Sequence, residues 1–473
     1  MSKSSSRRQF LGALALVGAG VGINALAMRG LRVPIMAEPR HVKHEARHPE
    51  GDFPVLAEGA FLIGTEGPAL SWRAFTPEPV LRTQGVFHIT IDNIHPLAIL
   101  RGDGAGQIHD ESIDGLKRTV RGEATSDHAL TLRWEVPFAD NYRFAAIGDT
   151  GGGRELEWSL QRTHQLGAQF LLLLGDIYYE PGDDLSVIHH LANSPVPVYS
   201  AFGNHDIVRG FDRNLLHWFE RGVGPRNSTF RLGGIQFINL DTAADIIPWS
   251  AGMRGALLRQ LPALRDNPGI REYVVFSHRP ITDLRPIEEQ PSDHSIENFG
   301  EGEWLREQLL RIGARTILNG HIHNTIERDD QGLYTYIAGE GLAHLDIVKS
   351  QGHVDWFKHS AEKSARILIG EVEPQAPVSY RWDLLNMPLE MHCSARLRAD
   401  MAKEQGHFDA MLDHLAKSAR TTHDLPGHDL TQTGARLCCG PLFKQSPTTR
   451  QKKTLMPKRY CSQLTPAHRP NYV

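Results

Sequence analysis

Five short apolar runs in this chain end in a side chain that can bind a metal. FAAIGD stops at Asp149, LLLLGD at Asp176, AFGN at Asn204, VVFSH at His278, and TILNGHIH at His321 and His323. The first three ends are spaced 27 and 28 residues apart. Oxygen and imidazole donors in one set suit Zn, Mn or Fe and disfavour Ca or Cu(I). Each end alone says little: an Asp after a strand is more often a helix cap, and a single His is ordinarily a satisfied surface or core residue. Five such ends in one region are hard to attribute to capping.

Something must bring these ends together. Apolar runs of this length, bounded by glycine and repeated at βαβ spacing, read as buried parallel strands. Ligands gather outside the carboxyl ends of such strands, so Asp149, Asp176 and Asn204 should meet at one rim. The patterns predict strands at 170–174, 195–202, 273–277, 316–319, 333–338 and 365–372. They also predict a hairpin at 230–240 and helices at 155–166, 255–264 and 304–312. Ahead of this α/β region, residues 60–138 alternate apolar and polar, as in Phe87, Ile89 and Ile91 or Leu130, Leu132 and Trp134. That period predicts an antiparallel β-sandwich with one face of each sheet wet, a packing or specificity module with no chemical constellation of its own. Glu180, Asp183 and Asp184 read as solvated loop charges.

The series GD…GD…GNHD…H…GHIH resembles the calcineurin-like metallophosphoesterase family over roughly residues 142–372. The resemblance implies a two-sheet α/β sandwich flanked by helices, here preceded by a small all-β domain. It also implies two metal ions that share one aspartate. The family usually opens with D-x-H, but this chain has Asp149-Thr150-Gly151. Asp176-Ile177-Tyr178-Tyr179 instead resembles the GDxxY pattern of purple acid phosphatases, in which the tyrosine phenolate binds Fe(III). The implied ligands of the first metal are Asp149, Asp176, Tyr179 and His323; those of the second are Asp176, Asn204, His278 and His321. Iron paired with iron, zinc or manganese is the implied metal content. The implied reaction is hydrolysis of a phosphate monoester by a metal-bound hydroxide, with His205 as proton donor to the leaving group. Asp206 orients His205 or its loop. Arg279 and His294 are candidates for substrate contact, because the histidine that normally follows the second-metal histidine by about ten residues is absent. A Mn or Zn phosphodiesterase or nucleotidase, and an inactive metal- or ligand-binding module, are the alternatives.

The rest of the chain sets bounds. With 473 residues and a net charge of −4, nothing points to nucleic acid. Ser6-Arg7-Arg8-Gln9-Phe10-Leu11 resembles a twin-arginine export signal. A short Gly- and Ala-rich apolar stretch follows, and Ala25-Leu26-Ala27 resembles a cleavage site. The expectation is therefore a periplasmic or secreted protein, passed through the twin-arginine machinery, with no membrane span after cleavage and a small phosphate ester as partner. The expected divisions are a signal at 1–27, a linker at 28–59, the β domain at 60–139, the metal domain at 140–374 and a C-terminal extension at 375–473. All four cysteines, Cys393, Cys438, Cys439 and Cys461, fall in that extension, so the main fold needs no disulfide or thiolate. A helix is expected at 401–416, and the basic, polar stretch after 440 reads as disorder.

Overall fold

Alternation of side chains shapes the first part of the chain. In the computed structural model the described residues are 44–49, 53–125, 128–179, 183–206, 213–243, 252–286, 294–296, 298–341 and 365–385. The expected signal, the helix at 401–416 and all four cysteines lie outside them. Ten strands form two five-stranded sheets. One has the order β1 (His44–Arg47), β2 (Pro54–Glu58), β5 (Val80–Thr83), β10 (Leu130–Glu135), β7 (Ile99–Gly104). The other has the order β3 (Ala60–Glu66), β4 (Ala69–Ala74), β6 (Val86–Asp92), β9 (Lys117–Ala124), β8 (Gly106–Asp114). Phe87, Ile89 and Ile91 of one sheet and Leu130, Leu132 and Trp134 of the other are buried in a common core. Two features differ from expectation. β4 pairs with β6 in parallel, and β1 and β2 come from the segment read as linker.

The α/β part stacks two further sheets. The first has the order β13 (Val198–Ser200), β12 (Phe170–Leu173), β11 (Tyr142–Ile147), β20 (Arg366–Val372), β21 (Ser379–Leu384). The second has the order β14 (Ser228–Leu232), β15 (Ile235–Leu240), β16 (Glu272–Ser277), β17 (Thr316–Asn319), β19 (Leu333–Ala338), β18 (Thr325–Asp330). The strands carrying candidate ligands are parallel within each sheet. Period-2 side-chain direction explains why these runs are apolar throughout. Phe144 and Ala146 face the opposing sheet with Phe170, Phe237 and Phe276, whereas Ala145 and Ile147 face helices. Those helices are α1 (Arg154–Gln165), α2 (Asp183–Ala192) and α3 (Arg213–Gly222), which bring Leu156, Leu160, Val187, Leu191 and Phe219 to the first sheet. On the far side α4 (Met253–Gln260) and α5 (Phe299–Ile312) cover the second sheet with Leu258, Leu305 and Leu309. The result is the α/β two-sheet sandwich expected, with helices outside and an all-β module ahead of it.

Asn93 joins the two parts. Its side-chain amide accepts from Val198 N (2.8 Å) and donates to Val198 O (2.9 Å) and Ala74 O (2.8 Å). It thus satisfies the outer edge of β13, which would otherwise leave polar backbone groups buried and unmade.

Candidate metal centre

Every candidate ligand sits just past the carboxyl end of a parallel strand, three strands from one sheet and two from the other. The turns that place them are tight. Asp149, Asp176 and His321 all have left-handed backbone, with φ of 61°, 55° and 67°. Each follows a glycine. Non-glycine residues held in this region store strain that surrounding structure must oppose, and such positions cluster at functional sites. The opposition is visible in the loops. Asp149 N donates to Gly175 O (3.0 Å), Gly151 N to Asp176 O (3.1 Å), and Gly320 N to His278 O (3.1 Å). His321 N donates to Asp149 Oδ2 and His205 N to Asp176 Oδ1, both at 2.8 Å. Gly175 has no alternative: a Cβ there would stand 2.6 Å from His278 Nδ1 and 2.8 Å from Gly203 Cα.

Two groups of donor atoms result. Tyr179 Oη lies 3.4 Å from Asp149 Oδ1, 3.1 Å from Asp176 Oδ2 and 3.3 Å from His323 Nε2. His323 Nε2 is 3.3 Å from Asp149 Oδ1. Separations of this length are those of donor atoms that could share one cation at about 2 Å from each. In the second group His278 Nδ1 bonds Leu174 O (2.7 Å), which turns Nε2 toward Asn204 Oδ1 (2.8 Å), Asp176 Oδ1 (3.3 Å) and His321 Nδ1 (3.2 Å). A backbone carbonyl that fixes an imidazole in this way is the usual support of a metal-bound histidine. Donor atoms this close are joined by hydrogen bonds and could also share a cation; those of Asp176, His278 and His321 lie within 4.8 Å of one another. Asp176 presents Oδ2 to the first group and Oδ1 to the second.

Burial raises the Asp149 carboxyl above its ordinary value, with His323 opposing it. Burial also works to raise Asp176, but the charge and hydrogen bond of His278 outweigh it and hold Asp176 low. Burial pulls His278 down, yet the Asp176 carboxylate pushes it up to about 9. His321 is held neutral by burial and by the charges of His278 and Arg279.

Asp206 accepts from Gly203 N (2.7 Å), Ile177 N (2.9 Å) and Tyr178 N (3.1 Å). These bonds tie the GNHD loop to the GDIYY loop, so the carboxylate orients the loop that carries His205. Burial and the neighbouring Asp176 charge push Asp206 up to about 8. Asp183 is not a solvated loop charge: it opens α2, and its Oδ2 accepts from Tyr179 N at 3.0 Å. Tyr178 packs against Trp218 instead of entering the site.

Beside the two groups lies a cleft of about 390 Å³ lined by Asp176, His205, Arg285, His294, His321, Ile322, His323 and Asn324. His205 stacks at 4.4 Å on the Tyr179 ring, and His294 lies 5.2 Å from the His321 ring. Arg279 stands behind this wall, with Nη1 donating to Ser295 O (3.4 Å) and its backbone N to Thr242 Oγ1 (2.8 Å). Its charge, after burial and that of Arg285, helps keep His294 neutral. Sequence reasoning missed Arg285. The available signal was Asp283 two residues earlier, a spacing that lets a carboxylate grip a guanidinium.

Residues 142–325 match the calcineurin-like phosphoesterase family. The central part of the chain is therefore a calcineurin-like phosphoesterase domain, and the five strand ends lie within the matched span. A serine/threonine-protein phosphatase of Bos taurus, CPPED1, is 23% identical over 228 residues, which are 43% of this chain and 68% of that protein. Among solved structures, purple acid phosphatase PPD1 from Lupinus luteus seeds is similar over 65% of this chain and 70% of that one, at 11% identity and TM-score 0.40. A dimetal phosphatase from Danio rerio is similar over 50% of this chain and 98% of that one, at 12% identity and TM-score 0.34.

Proposed function

We propose that this chain is an exported phosphatase that hydrolyses phosphate monoesters with two metal ions, iron with iron, zinc or manganese. The observation that carries the reading is Tyr179 Oη, which lies within 3.4 Å of Asp149, Asp176 and His323 at once. A phenolate there replaces the imidazole that Gly151 lacks. As a hard anionic donor it favours a trivalent ion over a divalent one.

Asp149, Asp176, Tyr179 and His323 would hold one cation, and Asp176, Asn204, His278 and His321 the other. Bound there, the pair supplies Lewis acidity, which makes water a nucleophile below neutral pH and offsets the charge of the phosphoryl group. The protein groups do the remaining work. The cleft presents the Arg285 guanidinium, which suits a dianionic group. His205, fixed by its backbone bond to Asp176 and by Tyr179 beneath its ring, gives a proton to the departing alkoxide as the P–O bond breaks. Asp206 keeps that loop in place. The bovine relative is named a serine/threonine-protein phosphatase, and this supports a phosphate ester as the substrate. The residues resembling a twin-arginine signal support a periplasmic or secreted location. Among the described residues no helix is long and apolar enough to cross a membrane.

The test is an assay of the metal-reconstituted protein on p-nitrophenyl phosphate and on bis(p-nitrophenyl) phosphate. The monoester should be turned over at least about tenfold faster in kcat/KM, a difference of about 1.4 kcal/mol in transition-state binding. A Mn or Zn protein that prefers the diester would replace this reading with a phosphodiesterase. Two bound ions with neither activity would leave a binding module.

A further inference from the structure

We propose that Arg285, gripped by Asp283, binds the non-reacting oxygens of the substrate phosphoryl group. The inference rests on the reading of the cleft as a phosphatase site. Arg285 lines that cleft together with Asp176, His205, His294 and His321. Its guanidinium is fixed at two points, Nε to Asp283 Oδ1 (3.0 Å) and Nη2 to Asp283 Oδ2 (2.6 Å). The pair is nearly buried, with side-chain exposures of 13% and 5%. A planar guanidinium held along one edge by a carboxylate keeps its direction, and it loses little freedom when it meets a second anion.

The support reaches further than the pair. Asp283 also accepts from Arg285 N and His294 N, both at 3.1 Å. It therefore fixes the Arg285 guanidinium and the backbone at His294 through one carboxylate. Leu284 is buried with Ile322 and Ile337. Ile322 separates His321 from His323, so Leu284 packs the segment beside the arginine against the loop that carries two candidate metal ligands. Core packing thereby holds that segment next to the candidate metal centre. Arg279, the sequence-level candidate for this task, instead donates to Ser295 O behind the cleft wall. The plain alternative is that Asp283–Arg285 is only a tie within its loop. That alternative predicts no change in ligand binding once the fold is shown to survive.

The experiment compares wild type with Arg285→Met, Arg285→Lys and Asp283→Asn, reading KM and kcat on p-nitrophenyl phosphate and the inhibition constant of inorganic phosphate. For Arg285→Met, KM and the phosphate constant should each rise about tenfold to a hundredfold, the worth of a charge-assisted hydrogen bond. kcat should fall less. Arg285→Lys should recover only part, because an ammonium cannot be gripped along an edge. Asp283→Asn should raise KM with kcat nearly kept, as expected of a positioning residue. Diester turnover should move least, since a diester has one fewer charged oxygen to bind. Unchanged KM and phosphate constants in a folded Arg285→Met protein would overturn the proposal and leave the phosphatase reading standing. If Arg285→Met does not fold, Arg285→Lys, which keeps the charge and stem, carries the same comparison. If wild type hydrolyses neither ester, the phosphatase reading fails. Calorimetric titration of inorganic phosphate into metal-loaded wild type and variants then still decides whether Arg285 binds the anion.

Discussion

Asp176→Asn is expected to lower kcat/KM on a phosphate monoester by about a thousandfold while leaving the fold intact. Asp176 offers Oδ2 to Tyr179 Oη at 3.1 Å and Oδ1 to His278 Nε2 at 3.3 Å. The asparagine has the same shape, but it removes the charge that two cations would share. It also puts an NH₂ group against one of the two donor sets. A charge placed between metal ions is worth several kcal/mol in the transition state, and each 1.36 kcal/mol is tenfold in rate. Stability should fall as well. Asp176 is 1% exposed, and its carboxylate is paired with His278, which holds it ionised. Removing one partner of a buried pair is destabilising, so the metal-free variant should unfold at a lower temperature than wild type, and it should retain less metal. A loss of less than tenfold would mean that Asp176 does not serve both groups.

The second large effect concerns stability and begins far from the cleft. Glu301→Ala is expected to cost about 3–5 kcal/mol, the usual result of breaking a buried ion pair by removing one partner. Glu301 and Arg254 have side-chain exposures of 2% and 0% and form a direct ion pair. Arg254 Nη1 also donates to Asp241 O at 2.8 Å. The next residue, Thr242, accepts from His278 N (3.2 Å) and Arg279 N (2.8 Å) through Oγ1. The ion pair thus supports the end of β15 that holds the candidate ligand His278. Glu301→Ala should shift the urea midpoint strongly and weaken retention of one of two metal equivalents. Replacing both partners with apolar residues of similar volume, Arg254→Met with Glu301→Leu, should recover most of the stability. The exposed pair Lys117–Glu66 is the contrast. At side-chain exposures of 36% and 63%, losing it should cost no more than about 1 kcal/mol. An equal cost for the two pairs would contradict the role assigned to burial.

What the sequence revealed follows from what repeats in it. Strands such as Phe170–Leu173 are legible because both faces are buried, so every position is apolar and the run has clear ends. The candidate ligands were legible because each stands where such a run stops. Edge and surface elements carry less signal. β18, with sequence TIERDD, is polar because it is an edge strand, and its only pattern is its pairing with β19. α2 buries just Val187 and Leu191, too few to mark a helical period, so its opening aspartates read as loop charges. β21 lies beyond the boundary expected at 374 and pairs with β20 along its whole length. The parallel pairing of β4 with β6 could not be read, because a strand's own alternation is the same whichever way its neighbour runs. Arg285 carries only the local signal of Asp283 two residues earlier. Its direction depends on the Asp283 carboxylate and on Leu284 packing beneath Ile322, and neither follows from periodicity.

The central claim is that Tyr179 completes the first metal's ligand set in place of the imidazole absent at Gly151. Visible absorption of the purified protein, measured with its metal content for wild type and Tyr179→Phe, tests it most directly. The account predicts two ions per chain, at least one of them iron, and a broad phenolate-to-iron band. That band should be lost in Tyr179→Phe while the fold remains. A colourless wild-type protein holding two manganese or zinc ions, or a band that survives in Tyr179→Phe, would contradict it.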